Sequence, residues 1–312
     1  MLARKSAEAV PSVLGTTGNG AVSGSTPRSF ASPLRNREMR TRRKIILIAP
    51  NSADCETVGD AGDEGTGRYE RLLSAVQQFR GRIYSADGAI RSSDLDEHGR
   101  HRLPADYQSW HLVSLDDRDQ VCGCSRYRVH PRHRPFSDLS ASRSALAQSP
   151  FWEPRVHDAI ESLRNLAWRR GVDFVEVGGW AITEELRRTP EALRIALGTY
   201  ALAGLLGGCI AITTATIRHH SAYILRKIGG SSIMSGQEEL PPYYDLEYDC
   251  EMQLLKFDYA HPNPSMAVWI EQLRQELASV EVIQRRSPSP ADFPQMPAML
   301  PLMTCADLRN TA

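Results

Sequence analysis

Apolar positions along the chain switch repeatedly between two periods. Residues 44–49 (KIILIA) form a short continuous apolar run, which predicts a buried strand. Over residues 68–84, Tyr69, Leu72, Leu73, Val76, Phe79 and Ile83 recur at helical spacing and predict an amphipathic helix. A polar loop rich in Asp and Gly follows over 85–105. Trp110–Leu115 and residues 120–129, joined by a turn at 116–119, predict a hairpin. A second helix is expected over 155–170, with Val156, Ile160, Leu163 and Ala167 in step. Asp173–Ile182 (DFVEVGGWAI) reads as a strand. Residues 190–206 read as a helix with Thr189 as its N-cap and Pro190 in the first turn. Cys209–Thr216 is a further strand, and 218–228 a helix closed by Gly229 and Gly230. Strands at 232–234 and 251–258 and a helix at 264–280 complete the pattern. Strands flanked by helices in this order predict an α/β fold with a single mixed sheet.

The periodicity stops at both ends. Residues 1–43 are rich in Ser, Gly, Thr, Pro and Arg, and 284–312 carry five prolines among scattered Met. Both are expected to be disordered tails around one domain at 44–283. The chain has 37 basic and 37 acidic residues, but the first 44 residues hold nine Lys/Arg against two Glu. That balance gives no support to nucleic-acid binding. The basic excess reads as a solvated tail or as a weak docking arm for an acidic partner such as a carrier protein or an anionic membrane surface. Residues 195–217 are uncharged and long enough to span a bilayer. The Gly207 and Gly208 pair and the β-branched run after it read instead as helix, turn and strand. Six scattered cysteines are no disulfide framework and point to a reducing, cytoplasmic setting.

The chain lacks the serine-nucleophile elbow, the phosphate loop, the zinc-protease helix motif and the dinucleotide glycine motif. Cys122 and Cys124 with His130 and His133 suggest a metal set. Two alternate strand residues stand ~6.6–7 Å apart, however, too far for sulfurs that must approach to ~4 Å on one zinc, so no metal is expected.

The chemistry concentrates around Glu176. A carboxylate in the middle of an apolar strand is costly unless paired or functional, and burial would raise its pKa toward that of a general base. Gly178 and Gly179 follow directly and suggest a bulge or a close approach of the backbone to a ligand. Arg187, Arg188 and the cap Thr189 precede a helix N-terminus and form an expected anion site, or a solvated pair neutralised by Glu184 and Glu185. On the hairpin strand, alternation puts Cys122, Cys124, Arg126 and Arg128 on one face. Arg126 suits either Glu176 or a substrate carboxylate. Asp106 precedes the hairpin.

Together these features resemble the GNAT acyltransferase superfamily over about residues 44–260. The similar branch is that of acyl-homoserine-lactone synthases and N-acyl amino acid synthases. The segment CGCSRYRVHP aligns Arg126 with that branch's hairpin arginine. LPADYQSWHLV offers Asp106 for its acidic residue, and Glu176 matches its mid-strand Glu. The resemblance implies an N-acyltransferase that moves a fatty acyl group from acyl-carrier protein or acyl-CoA to a small amine, with no permanently bound cofactor. Glu176 would be catalytic. Val177, Gly178, Gly179, Trp180, Arg187, Arg188 and Thr189 would bind the acyl donor, and Arg126 and Asp106 the acceptor. The lactone synthases carry an Arg three residues after the Glu, where this chain has Gly179, so an amino acid acceptor is expected instead. The GNAT pyrophosphate motif is matched by residues 187–192 except for Pro190 at its central Gly. That favours a carrier-protein donor. The alternative is a catalytically inactive, GNAT-like sensor or partner-binding protein.

Overall fold

The computed structural model describes residues 43–51, 64–246 and 248–285. The expected tails lie outside these residues, apart from residues 43, 284 and 285, and so does the basic arm. In chain order the elements are β1 (Lys44–Ile48), α1 (Glu64–Ala86), β2 (Trp110–Leu115), β3 (Val121–His130), α2 (Glu153–Arg169) and β4 (Asp173–Ile182). There follow α3 (Pro190–Leu205), β5 (Cys209–Thr216), α4 (Ser221–Lys227), and the short strands β6 (Ser231–Ser232), β7 (Met234–Ser235), β8 (Glu238–Glu239) and β9 (Tyr243–Asp245). The long β10 (Cys250–Asp258), α5 (Ala267–Leu277) and β11 (Glu281–Ile283) close the order.

The main sheet runs β11-β1-β2-β3-β4-β5-β10-β6, with β9 also on β10. It is mixed. β1 to β4 pair antiparallel, β4 pairs parallel with β5, and β5 returns to antiparallel pairing with β10. Helix α3 is the crossover between the parallel neighbours. This is the expected α/β class, with a mixed main sheet flanked by helices.

The two sheet faces carry different helices. On one face α1 packs Tyr69, Leu73, Val76 and Phe79 onto Ile46, Ile48, Val113 and Ala181. Beside it α2 packs Val156, Ile160 and Leu163 onto Phe174, Ile210 and Leu254. On the other face α3 and α5 bury Ile195, Leu202, Leu273 and Leu277 against Leu47, Leu112, Val175 and Leu255. Burying each such side chain stabilises the fold by about 1.5–3 kcal/mol before entropy is counted.

Several sequence expectations shift. The strand expected at 232–234 is two short pieces, split at the buried Ile233. The helix expected at 218–228 starts with a 3-10 turn and becomes α-helical only at Ser221, because His220 takes φ of 61°. The three residues of β11 were expected only as the domain's end. They pair parallel with β1, Ile46 opposite Glu281.

The uncharged stretch at 195–217 is helix, turn and strand, as expected. No helix of the described residues is long and apolar enough to cross a membrane. Gly208 makes the turn with φ of 97°, and a β-carbon there would meet the Tyr259 ring at 2.3 Å. Gly208→Ala is therefore expected to destabilise the fold by about 1–3 kcal/mol, measured as a lower Tm in thermal unfolding.

Candidate functional site

β4 and β5 are hydrogen-bonded only from Asp173 opposite Cys209 to Glu176 opposite Ile212. Beyond that point β4 follows β3 to Ile182, while β5 follows β10 to Thr216. The cause lies in β4. Cys124 pairs with Ala181 and Arg126 with Gly178, so three steps on β4 oppose two on β3. The extra residue is a bulge, which bends the strand and increases its twist. Gly179 takes φ of 62°, and a β-carbon there would press on Arg126 Cβ at 3.1 Å. Of the two consequences expected of the paired glycines, the bulge is present, and the close approach seen is to Arg126.

The divergence opens a cleft of about 820 Å³ lined from both sheet faces. On the α1 and α2 face it is polar. On the α3 face it is narrow-walled and apolar. Ala196, Thr199 and Ala203 of α3 line it at helical spacing, opposite Ala211, Thr213 and Ala215 of β5. Small side chains on both walls leave the space open. Tyr200 and Phe257, with ring centroids 5.7 Å apart, line its apolar end.

The polar arm is organised by Asp106, which is completely buried and is not among the cleft-lining residues. Its carboxylate accepts from Arg80 Nη1 and Nη2 at 3.0 and 2.7 Å, Gln77 Nε2 at 3.0 Å and the Leu103 amide at 3.0 Å. Arg126 Nη1 lies farther away, at 3.5 Å. Burial works to raise the Asp106 pKa, but Arg80 overcomes it and holds the carboxyl far below its usual range. Asp106 thus reaches the cleft only through the groups it orders, a correction to its expected contact with the acceptor. The rest of the Arg80 guanidinium is engaged as well. Its Nε donates to His101 Nδ1 at 3.3 Å and its Nη2 to the His101 carbonyl at 2.5 Å. Burial, and then the Arg80 charge, push the His101 pKa down to about 4, so the ring is neutral at pH 7. His111 donates from Nε2 to the Asp106 carbonyl at 2.9 Å, and burial likewise takes it to about 4.

Arg126 is the guanidinium left over. It lines the cleft, it is 8% exposed, and its Nε is buried without a hydrogen-bond partner. Asp106, its ion-pair partner at 3.5 Å, is also held by Arg80.

Glu176 also lines the cleft. Its partner is not Arg126. Oε2 accepts from His130 Nε2 at 2.8 Å and from Ser140 Oγ at 3.4 Å, while Oε1 accepts from the Ser140 and Ala141 amides at 2.7 and 3.3 Å. Burial pushes its pKa up, but the hydrogen bond from His130 and its other donors prevail, and the net shift is downward from 4.5. This reverses the direction expected for a buried strand carboxylate. The sequence reading missed the amides that a 3-10 turn at Ser140–Arg143 would supply.

The remaining expected residues divide. Val177, Gly178, Gly179 and Trp180 line the cleft; Arg187, Arg188 and Thr189 are not among its lining residues. Arg187 Nη2 is 2.9 Å from both oxygens of Asp87, which takes the neutralising part expected of Glu184 and Glu185. Thr189 caps α3 by accepting from the Glu191 amide at 3.2 Å. Arg188 is exposed, with φ of 63°. Arg80 was missed, although a signal existed: it falls on the apolar stripe of α1, between Val76 and Ile83.

No protein-family model matches the chain, and no curated protein matches it. Solved structures do overlap with it. The CoA-dependent acyl-homoserine lactone synthase BjaI, determined with SAM and isopentyl-CoA, is 13% identical, with 80% of this chain and 97% of that one covered at a TM-score of 0.47. The CoA-dependent acyl-homoserine lactone synthase MesI is 16% identical over 78% of this chain and 100% of that one, at 0.45. The N-acyl amino acid synthase FeeM, from uncultured soil microbes, is 15% identical over 61% and 86%, at 0.36. The strand order, rather than these overlaps, defines the fold.

The four donors on Glu176 give it a measurable signature. A carboxylate whose folded pKa lies below 4.5 contributes stability that is present above that pH and is lost as the pH falls through the folded value. Glu176→Gln places an NH2 group where acceptors are needed. It is expected to cost about 1.5–3 kcal/mol at pH 7. Thermal unfolding of both proteins across pH should show the gap closing in the acid range, below the ordinary carboxylate pKa.

Proposed function

We propose that the protein is an N-acyltransferase that moves an acyl group from a thioester, carried by acyl-carrier protein or coenzyme A, to the amine of an amino acid. One observation carries this reading. The cleft between β4 and β5 joins an apolar arm to a polar arm holding the buried guanidinium of Arg126, whose partner Asp106 is shared with Arg80. The apolar arm suits an acyl chain, the gap between the strands suits the thioester, and Arg126 suits the acceptor's carboxylate, which it would bind through two parallel hydrogen bonds.

In this reading the donor lies along Val177, Gly178, Gly179 and Trp180, where β4 has left β5. Main-chain amides there stabilise the oxyanion that forms when the amine attacks. The acceptor nitrogen forms the C–N bond, the C–S bond breaks, and the thiol leaves with the proton that the amine gives up. Glu176 orients the water that relays this proton from the amine to the leaving sulfur. Its lowered pKa makes it an orienting charge rather than the proton's resting place. Of the expected phosphate ligands, Arg188 keeps that role; Arg187 is held by Asp87. We place the reaction in the cytoplasm, in keeping with the free thiols of the four described cysteines.

The test is release of free thiol and formation of an amide, followed by mass spectrometry with fatty acyl-CoA and acyl-carrier-protein donors and pooled amino acids. Arg126→Gln is expected to raise the acceptor KM about 10- to 100-fold, the worth of a hydrogen-bonded charge. The donor KM should stay put. Equal changes in both constants would remove Arg126 from the acceptor site.

A further inference from the structure

We infer that the acceptor is an amine bearing two acidic groups, an acidic α-amino acid, whose second carboxylate is held by Arg128. The inference rests on the acyl-transfer reading above and concerns the same polar arm. Arg126 and Arg128 are alternate residues of β3 and line the cleft together. On one strand face such residues stand about 7 Å apart, so two guanidinium groups face one space.

Neither guanidinium has a carboxylate hydrogen-bonded to it alone, although Glu176 stands opposite Arg128 in the β3–β4 register. Arg126 reaches only Asp106, which Arg80 has already neutralised. Arg128 donates to two neutral oxygens, Gln108 Oε1 at 2.9 Å and the Asp138 carbonyl at 3.5 Å. Three of the four carboxylates that line the cleft hold other partners. Asp87 is taken by Arg187, Asp138 lies 3.4 Å from Arg134, and Glu176 is filled by His130, Ser140 and Ala141. Burial makes the Arg128 charge costly, Glu176 offsets part of that cost, and the neighbouring Arg126 adds to it.

Arg126 shares Asp106 with Arg80, and Arg128 has Glu176 only as its cross-strand neighbour, so the two cations outnumber the charge that offsets them and are costly to bury. A ligand with two carboxylates relieves both at once. An α-carboxylate on Arg126 and a side-chain carboxylate on Arg128 leave the amine between them, next to the β4 edge. A neutral acceptor would satisfy only Arg126. Discrimination of this kind is strong when a built polar group is left unpaired by the wrong substrate.

The test compares glutamate and aspartate with glutamine, asparagine and leucine as acceptors of a decanoyl group from decanoyl-CoA and from the matching carrier-protein thioester. Calorimetric binding of the same amino acids to the full chain runs in parallel. The acids are expected to exceed their amides in kcat/KM about 10- to 100-fold and to bind correspondingly tighter. Arg128→Gln should collapse that ratio toward one, and Arg128→Lys should restore part of it. Amides and leucine used as well as the acids would overturn the inference while leaving acyl transfer intact. Acid-selective binding that Arg128→Gln abolishes, without any amide product, would support the two-carboxylate site and overturn the transfer reading. Because the wild-type acceptor series decides the matter alone, a variant that folds poorly does not protect the inference.

Discussion

Everything that distinguishes this sheet follows from the end of the β4–β5 ladder after Glu176 and Ile212. Parallel neighbours in the interior of a sheet normally stay paired, because an unpaired buried amide costs as much as a lost hydrogen bond. Here the partnership is given up for half the length of β4. The bulge at Gly179 turns the strand, and the left-handed φ there admits no side chain without strain. Arg126 sits directly against the bulged backbone. The conformation that opens the cleft and the residue best suited to read its contents are thus parts of one contact. The opening also joins two faces that a continuous sheet would separate, one polar and one apolar.

The polar face depends on a division of labour between two arginines. Asp106 is completely buried, and a buried carboxylate survives only when neutralised and hydrogen-bonded. Arg80 supplies both from α1, in bidentate geometry, with Gln77 and the Leu103 amide filling the remaining positions. That leaves the second cation, Arg126, in surplus. Removing either member of the Arg80–Asp106 pair would strand a buried charge, which typically costs about 3–5 kcal/mol. The pair is therefore structural in energy and functional in consequence. Arg80 lines the cleft, whereas Asp106 acts on it from behind the lining.

The layers of this fold were legible from periodicity because each helix carries a stripe and each core strand a run. The α1 stripe, the 173–182 and 209–216 strands and the Thr189 cap stand where the pattern put them. Short pairings carry no such signal. β11 is three residues long, and β6 to β8 are two each, below the length at which alternation differs from chance. Of the cleft lining, Glu176, Arg126 and the two glycines were legible, since each violates the local pattern of its strand. What the pattern omits is partnership. Arg80 and Asp106 lie 26 positions apart, and Glu176 and Ser140 36 apart, so nothing local announces that they meet. Burial was judged from neighbours in the strand, whereas the pKa of Glu176 was decided by donors from another segment.

That last point changes how Glu176 relates to the cleft. Its carboxylate binds the first amides of the Ser140–Arg143 turn and the ring of His130, and so it ties the segment between β3 and α2 to the middle of β4. Ser137, Asp138, Ser140 and Arg143 of that segment line the polar arm. The position of the rim is therefore set by the same carboxylate that faces the cleft. A group with both roles cannot be read from activity alone, because losing the tether displaces the rim whether or not the charge acts on substrate. Stability reports the tether, and the acceptor's KM reports the rim. A rate loss beyond what either explains is the share that belongs to the charge itself.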